Sequence, residues 1–268
     1  MTIQKKLASL KAIISGYGSC LVAFSGGQDS AFLLKICSMV LPKDKLLAVT
    51  AFSAAYPEIE LQKAKALAED IGARHKVIKT RELDNKNFIS NSVKRCYFCK
   101  KELFTRLISI AGRNKLRFVL DAGNISDKND YRPGNIAKRK LKIKSPLSEA
   151  GFNKVDIRKA SRSLGLVTWN KPSLACLASR VPYGTKITAG LLKRIAGGEE
   201  YLTGLGFRQV RLRHYNGLCR IEVGKGDIRR LLNKREAITA RLKTLGYNYI
   251  TVDLEGYRTG SLNEVINQ

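Results

Sequence analysis

The stretch Leu21-Val-Ala-Phe24-Ser25-Gly26-Gly27-Gln28-Asp29-Ser30 decides the fold. Its apolar run reads as a strand, the Ser-Gly-Gly as a tight turn, and the periodic residues that follow as a helix. A strand, a glycine turn and a helix N-terminus together make an anion site. Glycine lets backbone N–H groups approach phosphate oxygens, and the helix dipole favours negative charge there. Ser25 and Ser30 add hydroxyls. Asp29 inside a phosphate cradle would repel its ligand unless a cation bridges them, which points to Mg²⁺. A lone Ser-Gly-Gly is equally an ordinary capped βα turn; the whole hexapeptide on the first strand of an α/β domain favours the phosphate reading. No GxxxxGK[ST] occurs, so the loop is not a Walker A motif.

Outward from the loop, apolar runs at 19–24, 46–52, 75–79, 117–121 and 141–144 are expected as strands. Helical periodicity covers 2–15, 30–40, 57–71, 99–112, 134–140 and 153–164. Such alternation implies an α/β fold, a doubly wound and mainly parallel sheet. Beyond about residue 168 the rhythm changes to a helix at 188–204, strands at 208–214 and 218–223, helical segments at 226–245 and a strand at 248–252. The expected domains are therefore 1–168 and a smaller α+β domain at 169–268.

The chain has 268 residues, with 49 Lys+Arg against 22 Asp+Glu, a formal charge of +27. That excess implies anionic partners, whether nucleic acid, nucleotides or small phosphates and carboxylates. No apolar run is long enough for a membrane span and nothing resembles a signal peptide, so a cytoplasmic protein without membrane attachment is expected. Of the six cysteines, Cys20, Cys37 and Cys219 sit in apolar patterns and read as core. Cys96, Cys99 and Cys176 remain. Cys96 and Cys99 stand one helical turn apart beside Arg95, Lys100 and Lys101, open to a redox dithiol, a metal site or plain burial. A structural zinc would want a fourth ligand, and His75 and His214 are poorly placed for it. Ser53 and Asn124 fall at carboxyl ends of parallel strands, where open α/β sheets bind ligands. Arg211 and Arg213, at i and i+2 of a strand, share one face and suit a phosphate or paired carboxylates, or else form a solvated basic strand.

The Ser25–Ser30 hexapeptide resembles the SGGxDS loop of the N-type ATP pyrophosphatases, the PP-loop superfamily, Rossmann-like enzymes that split ATP between the α and β phosphates and adenylylate a substrate. Later segments narrow the resemblance to the LarE family of ATP-dependent sulfur transferases. They are Asp121-Ala-Gly123-Asn124 through Asp127, Asp130-Tyr-Arg-Pro-Gly134, Ser145-Pro-Leu147, Lys171-Pro-Ser-Leu-Ala-Cys176-Leu-Ala-Ser179-Arg180-Val-Pro-Tyr-Gly184, Arg211-Leu-Arg213, Arg220-Ile-Glu222 and Asp253 to Asn263. Departures fall at Ala122, Lys140 and Asn170.

The resemblance implies adenylylation of a pyridinium dicarboxylate mononucleotide, with release of pyrophosphate, and its conversion to thiocarboxylates for a nickel-pincer cofactor. It implies ATP and Mg²⁺ as cofactors, a small anionic mononucleotide as substrate and a homo-oligomer, and leaves the sulfur-reloading system unknown. Carried over residue by residue, Ser25, Gly26, Gly27, Asp29, Ser30, Ser53, Gly123, Asn124 and Arg180 bind the nucleotide. Cys176, Asp29, Ser179, Arg211 and Arg213 serve catalysis, with Cys176 as the sulfur-bearing residue. Lys171 and Arg180 flank Cys176 as cations expected to lower its thiol pKa. Cys96 and Cys99 with Cys176 match the family's three-cysteine branch, which carries a [4Fe–4S] cluster. Glu199 and Glu222 match acidic positions associated with a divalent cation. A tRNA-thiolating enzyme of the same superfamily is the alternative, favoured by the charge and by Lys138-Arg-Lys-Leu-Lys-Ile-Lys144. A nucleotide or RNA binder without chemistry is disfavoured by the intact loop and Cys176.

Overall fold

The structure, a computed structural model, describes residues 1–53, 55–129, 133–172 and 175–264. Contacts divide the chain into two units, Met1–Glu82 with Lys94–Leu174, and Leu83–Val93 with Ala175–Gln268. The division thus follows Leu174 rather than residue 168, and one inserted segment groups with the second unit.

In the first unit a parallel sheet runs in the order β3-β2-β1-β4, from β1 (Cys20–Ala23), β2 (Leu46–Phe52), β3 (Arg74–Lys79) and β4 (Phe118–Leu120). The helices are α1 (Ile3–Tyr17), α2 (Gln28–Val40), α3 (Glu58–Asp70), and then, past α4 (Lys86–Ile89) of the inserted segment, α5 (Arg95–Arg113), α6 (Gly134–Lys140), α7 (Pro146–Glu149) and α8 (Lys154–Ser163). β1 is buried along Cys20, Leu21 and Val22, as a central parallel strand must be when helices cover both faces. One face packs on Leu10, Ile14, Phe32, Leu33 and Phe152, the other on Phe104, Leu107 and Ala111 of α5. Residues 141–144 form no strand: Lys142 takes a left-handed φ of 54° and only Lys144 bridges to Leu120. Cys20 and Cys37 are fully buried, and burial pushes the Cys37 thiol up, as expected of core residues.

The second unit has a three-stranded sheet in the order β5-β6-β7, from β5 (Val210–Tyr215), β6 (Leu218–Val223) and β7 (Tyr249–Val252). β5 and β6 are antiparallel, β6 and β7 parallel. α9 (Ala189–Gly204), α10 (Ile228–Leu232) and α11 (Arg235–Thr244) complete it. α9 approaches the sheet closely at Gly198, where a Cβ would lie 2.4 Å from the Leu212 side chain, so only glycine fits without repacking. The segment 83–93 joins this unit through Asn91. That residue is fully buried, and its amide donates to the carbonyls of Val181, Pro182 and Thr185 at 3.3, 2.7 and 3.0 Å. Among the described residues no helix is long and apolar enough to cross a membrane.

Candidate active site

The phosphate loop follows β1 and ends at α2. Gly26 has φ +64°, and a Cβ there would lie 2.8 Å from Cβ of Ala64 in α3, so backbone conformation and space both require glycine. Gly27 is the N-cap of α2 and supplies no side-chain acceptor, so no side chain closes the positive end of that helix. Ser30 shapes the loop from within: its Oγ accepts from the N–H of Ser25 at 3.2 Å and lies 3.1 Å from Oγ of Ser25. The cradle suits an anion of phosphate size, which is the chemistry expected of it.

Asn124, buried at the end of β4, donates its side-chain N–H to Oδ2 of Asp29 at 3.1 Å. The loop after β4 is thereby joined to the Ser25–Ser30 loop. Its own shape is set by Asp121, which accepts from the N–H of Gly123 at 3.2 Å and pairs with Lys138 at 2.7 Å. A Cβ on Gly123 would sit 2.8 Å from Nζ of Lys138. Ser53 follows β2 and accepts from the N–H of Ala55 at 3.2 Å.

Lys171 belongs to this unit and is committed within it. Its ammonium lies 2.7 Å from Oε2 of Glu60 and donates to the carbonyl of Gly26 at 3.0 Å. Burial opposes ionisation of Glu60, but the ammoniums of Lys171 and Lys63 outweigh it and hold the carboxyl below its usual range. Tyr56 donates to the carbonyl of Ser25 at 2.6 Å. Gln28 donates its side-chain N–H to the carbonyl of Trp169. Tyr56 and Glu60 escaped the sequence reading, because each acts through a partner remote in the chain and neither sits in a motif.

In the second unit Cys176 is exposed and caps the short 3₁₀ turn Leu177–Arg180. Arg180, 2% exposed, holds that turn. It donates to the carbonyls of Ala175 and Cys176 at 2.7 and 3.1 Å and to Oγ of Ser179 at 3.0 Å. Its other side is bidentate to Glu199, both bonds at 2.8 Å. Glu199 also accepts the N–H of Leu212 at 2.9 Å on the edge strand β5. Arg213 repeats the arrangement: bidentate to fully buried Glu222, both bonds at 2.9 Å, while donating to the carbonyl of Ser179 and to Oγ of Ser261 at 2.7 Å each. Arg211 stacks over the Tyr257 ring at 5.2 Å, and burial with the nearby charge of Arg180 lowers its pKa.

Several expectations are thereby corrected. Arg211 and Arg213 share a face but are buried at 6% and 5% exposure, so the strand is not a solvated basic one. Glu199 and Glu222 are the carboxylate partners of Arg180 and Arg213, and among the described residues no three His, Cys, Asp or Glu side chains group as they would around a metal. Lys171 and Arg180 have their charges matched by Glu60 and Glu199. Cys96 and Cys99 lie in the first turn of α5, Cys96 exposed and Cys99 partly so. The stretches Asp130-Tyr-Arg132 and Ser173-Leu174 lie outside the described residues.

The NAD synthase family model matches residues 2–107, which contain the Ser25–Ser30 loop. The chain is 37% identical over 267 residues to the pyridinium-3,5-bisthiocarboxylic acid mononucleotide synthase of Lactiplantibacillus plantarum, covering 100% of this chain and 97% of that protein. It is also 37% identical over 268 residues to an uncharacterized Synechocystis protein, covering 99% and 100% of the two chains, and 29% identical over 262 residues to one from Methanocaldococcus jannaschii, covering 97% and 100%. Identity at that level along the whole of both chains leaves one conclusion: the chain belongs to the LarE family within the PP-loop ATP pyrophosphatases.

Proposed function

We propose that the protein is an ATP-dependent sulfur transferase acting on the carboxylates of a pyridinium-3,5-dicarboxylate mononucleotide. The observation that carries the reading is Cys176, an exposed thiol on a turn whose backbone is pinned by a buried arginine. It stands in a chain that is alike from end to end to a synthase of the corresponding bisthiocarboxylate.

A carboxylate is a poor electrophile, so it is first activated. Ser25, Gly26, Gly27 and Ser30 would bind the departing pyrophosphate, and Asp29, oriented by Asn124, would hold Mg²⁺, which supplies charge neutralisation at the phosphates. Ser53, Gly123 and Asn124 would receive the adenosine. The substrate carboxylate displaces pyrophosphate from the α-phosphorus, giving an acyl-adenylate. Sulfur then attacks the acyl carbon, the C–O bond to AMP breaks, and AMP leaves. Where the sulfur is that of Cys176 the product is a thioester, and loss of the Cys176 α-proton with cleavage of its Cβ–Sγ bond frees the thiocarboxylate and leaves dehydroalanine. Arg180 holds the Cys176 backbone; with Arg211 and Arg213 it supplies the cationic surroundings that suit a mononucleotide phosphate.

The test is a comparison of Cys176→Ala with the unaltered chain. The variant should release pyrophosphate from MgATP with the dicarboxylate mononucleotide at an undiminished first-turnover rate and form no thiocarboxylate. Loss of both activities would remove Cys176 from the sulfur step. The sulfur source is read from the anaerobically purified chain. About four irons with Cys176 intact would assign a cluster on Cys96, Cys99 and Cys176; absence of iron with loss of H₂S from Cys176 would assign the cysteine sulfur itself.

A further inference from the structure

We propose that Lys171 and Tyr56 are positioning residues of the phosphate loop, holding its two carbonyls so that its N–H groups stay turned toward the triphosphate of ATP. The proposal rests on the ATP-dependent reading above and adds residues which that reading does not need.

A peptide loop that gathers N–H groups around an anion must turn its carbonyls elsewhere, where a donor can fix their direction. The loop supplies none for Ser25 or Gly26. The carbonyl of Ser25 receives the Tyr56 hydroxyl at 2.6 Å, and that of Gly26 receives the Lys171 ammonium at 3.0 Å. Lys171 is 17% exposed, and Glu60, at 9%, matches its charge at 2.7 Å. A cation so placed fixes a carbonyl without adding net charge to the loop. The backbone is gripped twice more: α3 presses on Gly26 through Ala64, and Gln28 is tied to the carbonyl of Trp169. Trp169–Lys171 is therefore a strap across the loop, attached at Gly26 and Gln28.

Trp169 is the only tryptophan, so its fluorescence reports on the strap in the full-length chain. MgATP is titrated into the unaltered protein, Lys171→Met, Lys171→Arg and Tyr56→Phe, and Cys176 alkylation by iodoacetamide is followed against pH by mass spectrometry. The expected result is MgATP dissociation constants raised about tenfold in Lys171→Met and in Tyr56→Phe, the scale of one lost hydrogen bond. Lys171→Arg should recover most of the loss, and the alkylation profile should not move. Unchanged MgATP affinity in both Lys171→Met and Tyr56→Phe, or an alkylation profile displaced in Lys171→Met, would overturn the proposal. If Lys171→Met fails to fold, Tyr56→Phe, which removes one oxygen, decides alone. No MgATP binding by the unaltered chain would overturn both readings. Binding without pyrophosphate release on the mononucleotide would remove only the sulfur-transferase reading.

Discussion

At the scale of single residues the second unit is organised by arginines that face carboxylates out of water. A buried ion pair is a weak source of net stability, but removing one member strands the other. Arg213→Met takes from Glu222, at 0% exposure, its bidentate partner, leaving it Arg220 at 3.1 Å, and also frees the carbonyl of Ser179. It should cost up to about 3 kcal/mol, read as a loss in thermal or denaturant unfolding of the second unit. Removing both partners together, as Arg213→Met with Glu222→Met, should recover much of that loss. That Arg211 and Arg213 share a face was legible from their i, i+2 spacing. Their partners were not. Glu222 lies across from Arg211 in the β5–β6 register yet ion-pairs with Arg213, a diagonal visible only once the strands are aligned.

Among elements, β2 and α6 match the sequence reading at both ends, because each is bounded by residues that break the pattern. The expected strand at 141–144 failed for a local reason. Leu-Lys-Ile-Lys alternates as a strand does, but Lys142 enters the left-handed region and turns the chain. α5 begins at Arg95, earlier than the apolar periodicity over 99–112 suggested, so Cys96 sits inside the helix with Cys99 instead of before it. Two strands carry histidines at least partly out of water. His75 on β3 bonds Thr50 at 2.8 Å; His214 on β5 has a buried Nδ1 without a hydrogen-bond partner. Burial first, then the charges of Lys65 and Arg194, depress both below the ordinary value of 6.5. The unfolded chain therefore binds more protons than the folded one. Stability should be full above pH 6.5 and decline as pH falls through the depressed folded values, a slope in chemical denaturation that His75→Gln with His214→Gln should flatten.

Over the whole molecule, the α/β class was readable from strand–helix alternation, and the cofactor chemistry from one hexapeptide. The membership of 83–93 in the second unit was not, since it depends on Asn91 reaching carbonyls some ninety residues away. The +27 charge is only partly explained by the site. Arg180, Arg213 and Lys171 are matched by buried or half-buried carboxylates, so much of the surplus belongs to surface side chains such as Lys100, Lys101, Arg139 and Lys140. Surface cations bind polyanions through counterion release, with an affinity that falls as ionic strength rises, and without chemistry. Bulk tRNA should therefore bind weakly, lose affinity steeply as salt is raised, and not stimulate pyrophosphate release. The most direct measurement is pyrophosphate release from MgATP, with the mass of the organic product, for the dicarboxylate mononucleotide and for tRNA side by side. Release that depends on the mononucleotide, with oxygen exchanged for sulfur in its carboxylates, is the expected result; release that depends strictly on tRNA would contradict it.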